Sequence, residues 1–253
     1  MSEPEGASDV PGAADRPPDH PGGSGNGPDT VDNRVSAGQR PVDEQLRRLA
    51  DLIAASPHNL VARGERPHVF ERHVLECLSL SALLRPAGRW LDLGTGGGLP
   101  GLVLAIAHPQ VAWTLIDATA KKITAVEEFA AALELGNVTA VARRAEALAH
   151  DAQYRGHYDG VVTRALAPLP TLVELARGFL RRGGRLVALK GPGASTELND
   201  AQSALERLHL RVSPLERLPY DGRESWVVTM TAENDPPAGY PRRDGVPKSD
   251  PLR

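Results

Sequence analysis

The stretch Leu91-Asp92-Leu93-Gly94-Thr95-Gly96-Gly97-Gly98-Leu99-Pro100-Gly101 constrains this chain more than any other. A buried apolar run leads into it, and a helical pattern leaves it. Glycines at such a strand-to-helix bend let the backbone turn tightly and approach a ligand with no Cβ in the way. Short apolar runs and helical stretches then alternate: strand Trp90–Leu93, helix Pro100–Ala107, strand Ala112–Ile116, helix Lys121–Leu135 and strand Thr139–Ala142. Strand Gly160–Thr163, helix Leu169–Arg181, a turn at Gly183-Gly184, strand Arg185–Leu189 and helix Thr196–His209 follow. This alternation predicts an α/β fold, a mostly parallel sheet with helices on both faces. Two last runs, near Arg211–Leu218 and Trp226–Thr231, flank Asp221-Gly222 and read as an antiparallel hairpin, which makes seven strands.

In an open α/β sheet, ligands bind beyond the carboxyl ends of the strands. A dinucleotide fingerprint would need glycine where this chain has Leu99, and a phosphate loop would need Gly-Lys-Ser/Thr, so both are disfavoured. An acid, Asp92, stands two residues before the first glycine, which repels phosphate and suits a cationic ligand. S-adenosylmethionine carries an ammonium and a sulfonium and fits that charge logic. Asp117 closes the second strand, where a carboxylate accepts ribose hydroxyls, and Glu146 follows the third, within reach of an adenine amino group. Gly94, Gly96 and Gly98 complete the predicted contact set.

Residues 1–40 carry 6 Pro and 7 Gly, with no Leu, Ile, Phe, Trp or Tyr. Such a segment cannot offset its ordering entropy, so it reads as a disordered acidic leader, with an interaction tail as the alternative. It lacks the basic start and apolar run of a signal peptide. Three Arg against seven acids give it −4 of the overall −3, leaving the body at +1. Near-neutrality neither demands nor excludes a nucleic-acid partner. The one cysteine, Cys77, excludes an internal disulfide and a multi-cysteine zinc site, and the expected setting is a reducing cytoplasm. No metal site and no membrane span is expected. Residues 41–88 read as a helical cap: Leu46, Leu49, Ala50 and Ile53 form one stripe, and a second helix is predicted over Pro67–Leu84 with Phe70, Val74, Cys77, Leu78 and Ala82 inward. Residues 89–233 then form the sheet domain, and 234–253 a basic tail.

Beyond the loop, several pieces coincide: Arg72-His73-Val74-Leu75, Lys121-Lys122-Ile123 after Asp117, Arg144-Ala145-Glu146, Thr163-Arg164-Ala165, Lys190-Gly191 and Tyr240-Pro241-Arg242-Arg243-Asp244. Together they resemble the bacterial 16S rRNA guanine-N7 methyltransferase family RsmG, also called GidB. The resemblance covers roughly residues 58–253. It implies a Rossmann-like S-adenosylmethionine-dependent methyltransferase fold and a donor held by Gly94, Leu99, Ala145, Glu146 and Arg164. The implied substrate is a guanine in the helix 18 loop of 16S rRNA, in the small ribosomal subunit, acted on by a monomer. Departures fall on the RNA side: Cys77 stands where the family usually has serine, after the acid Glu76, and the cap lacks aromatics and reads Asn59-Leu60-Val61.

Guanine N7 carries an in-plane lone pair and no proton at neutral pH, so its methylation needs no general base. No catalytic acid or base is therefore assigned. The RNA-facing candidates are His73, Lys121, Lys122, Arg144, Lys190, Arg242 and Arg243. For His73 a packing role, and for Arg164 an ion pair with Asp159 or Glu146, are the plainer alternatives. Two other functions stay open: methylation of another RNA or of a small molecule, and a non-enzymatic RNA-binding or ribosome-assembly role.

Overall fold

Short, nearly continuous apolar runs, covered on both faces, build the central strands of the sheet. In the computed structural model, which describes residues 39–252, β1 (Arg89–Leu93), β2 (Ala112–Asp117), β3 (Val138–Ala142), β4 (Tyr158–Arg164) and β5 (Leu180–Lys190) run parallel. β6 (Leu210–Val212), β7 (Glu216–Arg217) and β8 (Trp226–Ala232) complete the sheet in the order β3-β2-β1-β4-β5-β8-β6, with β7 also on β8. β8 is antiparallel to β5, β6 and β7, as the Asp-Gly hairpin predicts. The strand order reverses between β1 and β4, so the crevice for a ligand opens above their carboxyl ends.

Two apolar clusters cover the two faces. One holds Trp90, Leu102, Trp113 and Phe129 together with cap residues Leu46, Leu49, Ile53, Val74 and Leu80; the other holds Leu91, Tyr158, Leu172, Phe179 and Met230. The cap therefore shares a core with the sheet. Its first helix, α1 (Gln39–Ala55), begins earlier than the expected Val42, with Pro41 in the first turn, where a missing N–H costs no helical bond. The rest of the leader lies outside the described residues.

Several boundaries differ from expectation. The second cap helix is not continuous: a 3₁₀ turn spans Arg63–His68 around Pro67, a π turn spans Phe70–Val74, and α2 covers Leu75–Leu84. The wider π turn rotates the following face, so Glu76, Cys77 and Leu80 are buried and Ala82 is exposed. The expected strand Arg211–Leu218 is interrupted between β6 and β7, giving eight strands. The expected helix Thr196–His209 divides at Ala201 into α7 (Ala194–Asp200) and α8 (Gln202–Arg207). Of the others, α3 (Gly101–Ala107), α4 (Ala120–Ala132) and α5 (Ala145–Leu148) follow β1, β2 and β3, and α6 (Leu169–Arg177) stops before the expected Arg181, where β5 takes over.

The tail is part of the fold rather than an appendage. Arg177 is fully buried and donates to the carbonyls of Leu208, Leu180, Asn234 and Asp235; burial pushes its pKa down to about 10. Arg155 donates to the carbonyls of Pro236, Pro237 and Tyr240, and Thr171 to that of Pro247. Thus α6 and the α5–β4 turn seat the final segment, which ends in a short helix, α9 (Val246–Ser249). Among the described residues no helix is long and apolar enough to cross a membrane.

A single side chain ties the turn between α3 and β2. Asn137 Nδ2 lies 3.1 Å from Ala105 O, 3.3 Å from His108 O and 3.2 Å from Val111 O. Asn137→Ala leaves these acceptors without their shared donor, at a cost of roughly 1–3 kcal/mol. The thermal unfolding midpoint should fall by roughly 3–10 °C on that basis, and an unchanged midpoint would show the tether to be idle.

Candidate functional site

The glycine loop is organised from below by Asp92. This side chain is fully buried, and its Oδ2 accepts from Thr95 Oγ1 at 2.6 Å and from the Gly101 backbone N–H at 2.8 Å. A Cβ at Gly101 would lie 2.6 Å from that oxygen, so glycine is what allows the contact. Above, Gly94 and Thr95 N–H both donate to Ile116 O at 2.9 Å. Gly94 holds φ +74°, a left-handed conformation that side-chain-bearing residues rarely adopt. These bonds lift the loop over the ends of β1 and β2.

Asp92 is thus corrected in role: it holds the loop and does not face the cleft. Burial pushes its pKa up to about 6, against the Thr95 and Gly101 hydrogen bonds, which lower it, and Oδ1 is buried without a partner. Leu99 is likewise a core side chain, so that position can offer a ligand its backbone alone.

A cavity of about 540 Å³ lies beyond the strand ends, walled by Gly94, Asp117, Ala118, Ala145 and Glu146, with Lys248 from the tail. That volume suits a small organic ligand. Asp117 Oδ2 accepts from Gly96 N–H at 3.1 Å and its Oδ1 from Thr119 N–H at 2.8 Å, with Lys122 Nζ 3.5 Å away. A carboxylate has about four acceptor sites, so capacity remains for ligand hydroxyls. Glu146 Oε1 takes Arg144 Nη2 at 2.6 Å and the Gly245 N–H at 3.0 Å. Burial works to raise its pKa, but these donors outweigh it and hold the carboxyl below its usual range.

A second cavity of about 620 Å³ adjoins the first, sharing the Leu166-Ala167-Pro168 segment that follows β4. Arg164 lines this second cavity, and its partner is neither Asp159 nor Glu146. Its Nη1 lies 3.1 Å from Glu76 Oε2 and 3.3 Å from His73 Nδ1. Glu76, nearly inaccessible, also accepts from Arg223 on both oxygens and from Ser225 Oγ at 2.6 Å. Burial would raise the Glu76 pKa; the Arg223 and Ser225 bonds and the Arg164 charge prevail and lower it. His73 is buried beside these cations. Burial, then the Arg164 and Arg223 charges, lower its pKa, so it is neutral near pH 7. Its Nε2 lies 3.2 Å from Glu65 without forming a hydrogen bond. His73 is therefore a packing histidine, not an exposed RNA contact.

The remaining expected cations divide. Lys121 and Arg243 are exposed, while Lys122 and Arg144 stand at the first cavity. Arg144 also pairs with Asp244 at 3.0 Å. Lys190 lines the second cavity, its Nζ 2.6 Å from Ala167 O and 2.7 Å from Glu197 Oε2. Arg242 is not free: it clamps the fully buried Glu174 through Nη2 at 2.9 Å and reaches Asp250 at 3.2 Å. Sequence reasoning missed Arg223, Ser225 and Glu197. The first two lie 147 and 149 residues from their common partner, and no local pattern announces such a pairing.

The family model described as rRNA small subunit methyltransferase G matches residues 43–221. The chain belongs to the GidB family. It is 40% identical over 218 residues to the Ribosomal RNA small subunit methyltransferase G of Deinococcus radiodurans, covering 84% of this chain and 86% of that one. With the protein of the same name from Deinococcus deserti the identity is 46% over 219 residues, covering 84% and 89%. The solved structure of MtNAS in complex with MTA and tNA shares the fold at a TM-score of 0.52 and 15% identity, over 75% of this chain and 70% of that one. This GidB member thus has the Rossmann-like methyltransferase fold that its motifs predict, and S-adenosylmethionine is its methyl donor. Asp117, Glu146 and the glycine wall fit such a ligand: a cleft with one carboxylate acceptor at the end of β2 and another in the helix that follows β3.

Asp92 carries a testable signature. Its pKa is about 6 folded against 3.8 for the free side chain, so the folded state binds the proton more tightly. Its contribution to stability therefore declines as pH rises through roughly 4–6 and is flat above. Asp92→Asn should remove that opposing component, so unfolding midpoints measured across pH 4–8 should rise more steeply between about pH 4 and 6 than the parent's, because carboxylates of lowered pKa such as Glu76 and Glu146 then act alone. A profile identical to the parent's would place the carboxylate in water, contrary to the structure.

Proposed function

We propose that this chain transfers a methyl group from S-adenosylmethionine to N7 of a guanine in the helix 18 loop of 16S rRNA, as a cytoplasmic monomer acting on the small ribosomal subunit. The observation that carries this reading is the pair of joined cavities, one walled by Gly94, Asp117 and Glu146, the other by Arg164 and Lys190. The names of the relatives support the substrate class.

When bound, S-adenosylmethionine supplies a methyl on cationic sulfur that the N7 lone pair displaces, sulfur keeping the bonding electrons and no proton moving. The chain's share is to orient the partners. Asp117 and Glu146 fix one ligand by its polar edges, held in place themselves by Gly96, Thr119, Arg144 and Gly245. Alignment of reacting atoms is worth up to roughly 7–11 kcal/mol in such transfers. The Leu166–Pro168 segment, which lines both cavities, stands where the two ligands would meet. Exposed Lys121 and Arg243, with Arg144 and Lys122 at the rim, supply charge toward RNA phosphate.

Asp117→Ala should weaken S-adenosylmethionine binding by about 10- to 100-fold, the worth of charged hydrogen bonds at roughly 1.5–3 kcal/mol, while affinity for the small subunit changes less than about threefold. Calorimetry reads the first and filter binding the second. Absence of donor binding by the parent protein would favour a non-enzymatic assembly role instead. Mass mapping of 16S rRNA from cells with and without the protein tests the target: loss of one N7-methylguanine is expected, and an unchanged pattern overturns the proposal.

A further inference from the structure

The second cavity contains an ion pair that is only half used. Lys190 Nζ has three N–H donors, of which the Ala167 carbonyl and Glu197 Oε2 take two. Glu197 Oε2 also accepts the Leu169 N–H at 2.9 Å, whereas its Oε1 has no donor among the described residues. Lys190 is nearly buried, its side chain 8% exposed, and that of Glu197 is 33% exposed. The Glu76 carboxylate in the same cavity has both oxygens occupied by Arg164, Arg223 and Ser225, so it has little left to offer a ligand. One free donor and one free acceptor therefore belong to the same ion pair, the free Oε1 being on the carboxylate whose other oxygen lies 2.7 Å from Lys190 Nζ. Apolar groups surround them: Leu166, Pro168, Leu189 and Pro192 line the same cavity. Leu166 is the one large apolar side chain exposed among the described residues, at 39%, and it borders both cavities. An apolar surface next to a donor–acceptor pair fits a flat heterocycle bearing an acceptor beside a donor.

We propose that Lys190 and Glu197 read the Watson–Crick edge of the target guanine, Lys190 donating to O6 and Glu197 Oε1 accepting from N1–H. This rests on the functional reading above and deepens it. Recognition through that edge leaves the N7 lone pair free, which the reaction requires. The arginine readout common in nucleic-acid complexes covers O6 and N7 together and would block it. Removal of the base from its stack exposes the edge to the pocket. Both residues are positioned by the fold: Lys190 ends β5, and Glu197 sits in α7 with its Oε2 pinned by two donors.

That pinning gives a specific test. In Glu197→Gln the two donors hold the amide oxygen at the Oε2 position, so the NH₂ group replaces Oε1. An acceptor facing N1–H becomes a donor. 2-Aminopurine keeps N7 and the stacking faces but lacks O6, and its N1 is an acceptor. Small subunits are assembled from ligated 16S rRNA carrying guanine or 2-aminopurine at the target position, and methyl transfer is measured as kcat/KM with the full chain. The parent should prefer guanine strongly, and Glu197→Gln should reduce that preference about tenfold or more, with S-adenosylmethionine affinity within twofold of the parent's. Lys190→Met, a second variant, should lose rate on guanine and little on 2-aminopurine. An active parent whose preference is unchanged in both variants overturns the base-reading assignment alone. A parent inactive on guanine subunits overturns the functional reading beneath it.

Discussion

A buried carboxylate holds the ligand crevice in shape. Asp92 spends one oxygen on Thr95 and Gly101, joining the first turn of the glycine loop to the helix that leaves it. Placing a charge out of water is costly unless donors surround it, and here one oxygen remains unpartnered. The return is geometric. With both ends of the loop fixed, Gly94 and Gly96 are presented at the ends of β1 and β2, and Asp117 is drawn in as an acceptor of the Gly96 N–H. Loop, carboxylate and strand end form one rigid bracket around the place a ligand takes.

A second buried acid performs a longer-range task. Glu76 in the cap binds Arg164 at the end of β4 and Arg223 and Ser225 in the loop before β8. Tyr220 from that loop also donates to the Glu71 carbonyl at 2.6 Å. Three segments far apart in sequence are thereby locked together at one edge of the second cavity. Loss of a cationic member would leave the buried Glu76 charge short of partners, the costly way to break such a network. Cap and sheet are then mechanically coupled, and the cap acts as a wall of the cavity as much as a cover for the core.

What was legible in the sequence follows from range. The β/α alternation, the hairpin at Asp221-Gly222 and the glycine bend are local patterns, and the sheet reproduces them. Helix continuity was less legible. The periodicity from Pro67 to Leu84 hides a π turn at Phe70–Val74, which changes the face that α2 buries. Sequence showed that Asp92 and His73 are polar groups near a ligand loop and a cap, but not which way they point. Both turn inward: Asp92 toward Thr95 and Gly101, three and nine residues ahead in the loop that folds back over it, and His73 toward a cation 91 residues away. Arg242 likewise read as a loose cation, since nothing near it in the chain announces Glu174, 68 residues back.

That clamp brings the final segment to the crevice. Arg242 on Glu174 and Gly245 on Glu146 set Lys248 and Pro251 into the wall of the first cavity, which otherwise begins at Leu93. The binding surface is therefore assembled from chain positions more than 150 residues apart and stays incomplete until position 251 is in place. During synthesis, a polypeptide emerging from the ribosome has a finished glycine bend long before it has a finished cleft. A chain lacking the segment from Arg242 onward would therefore keep the glycine bend and lose part of one wall of the cleft.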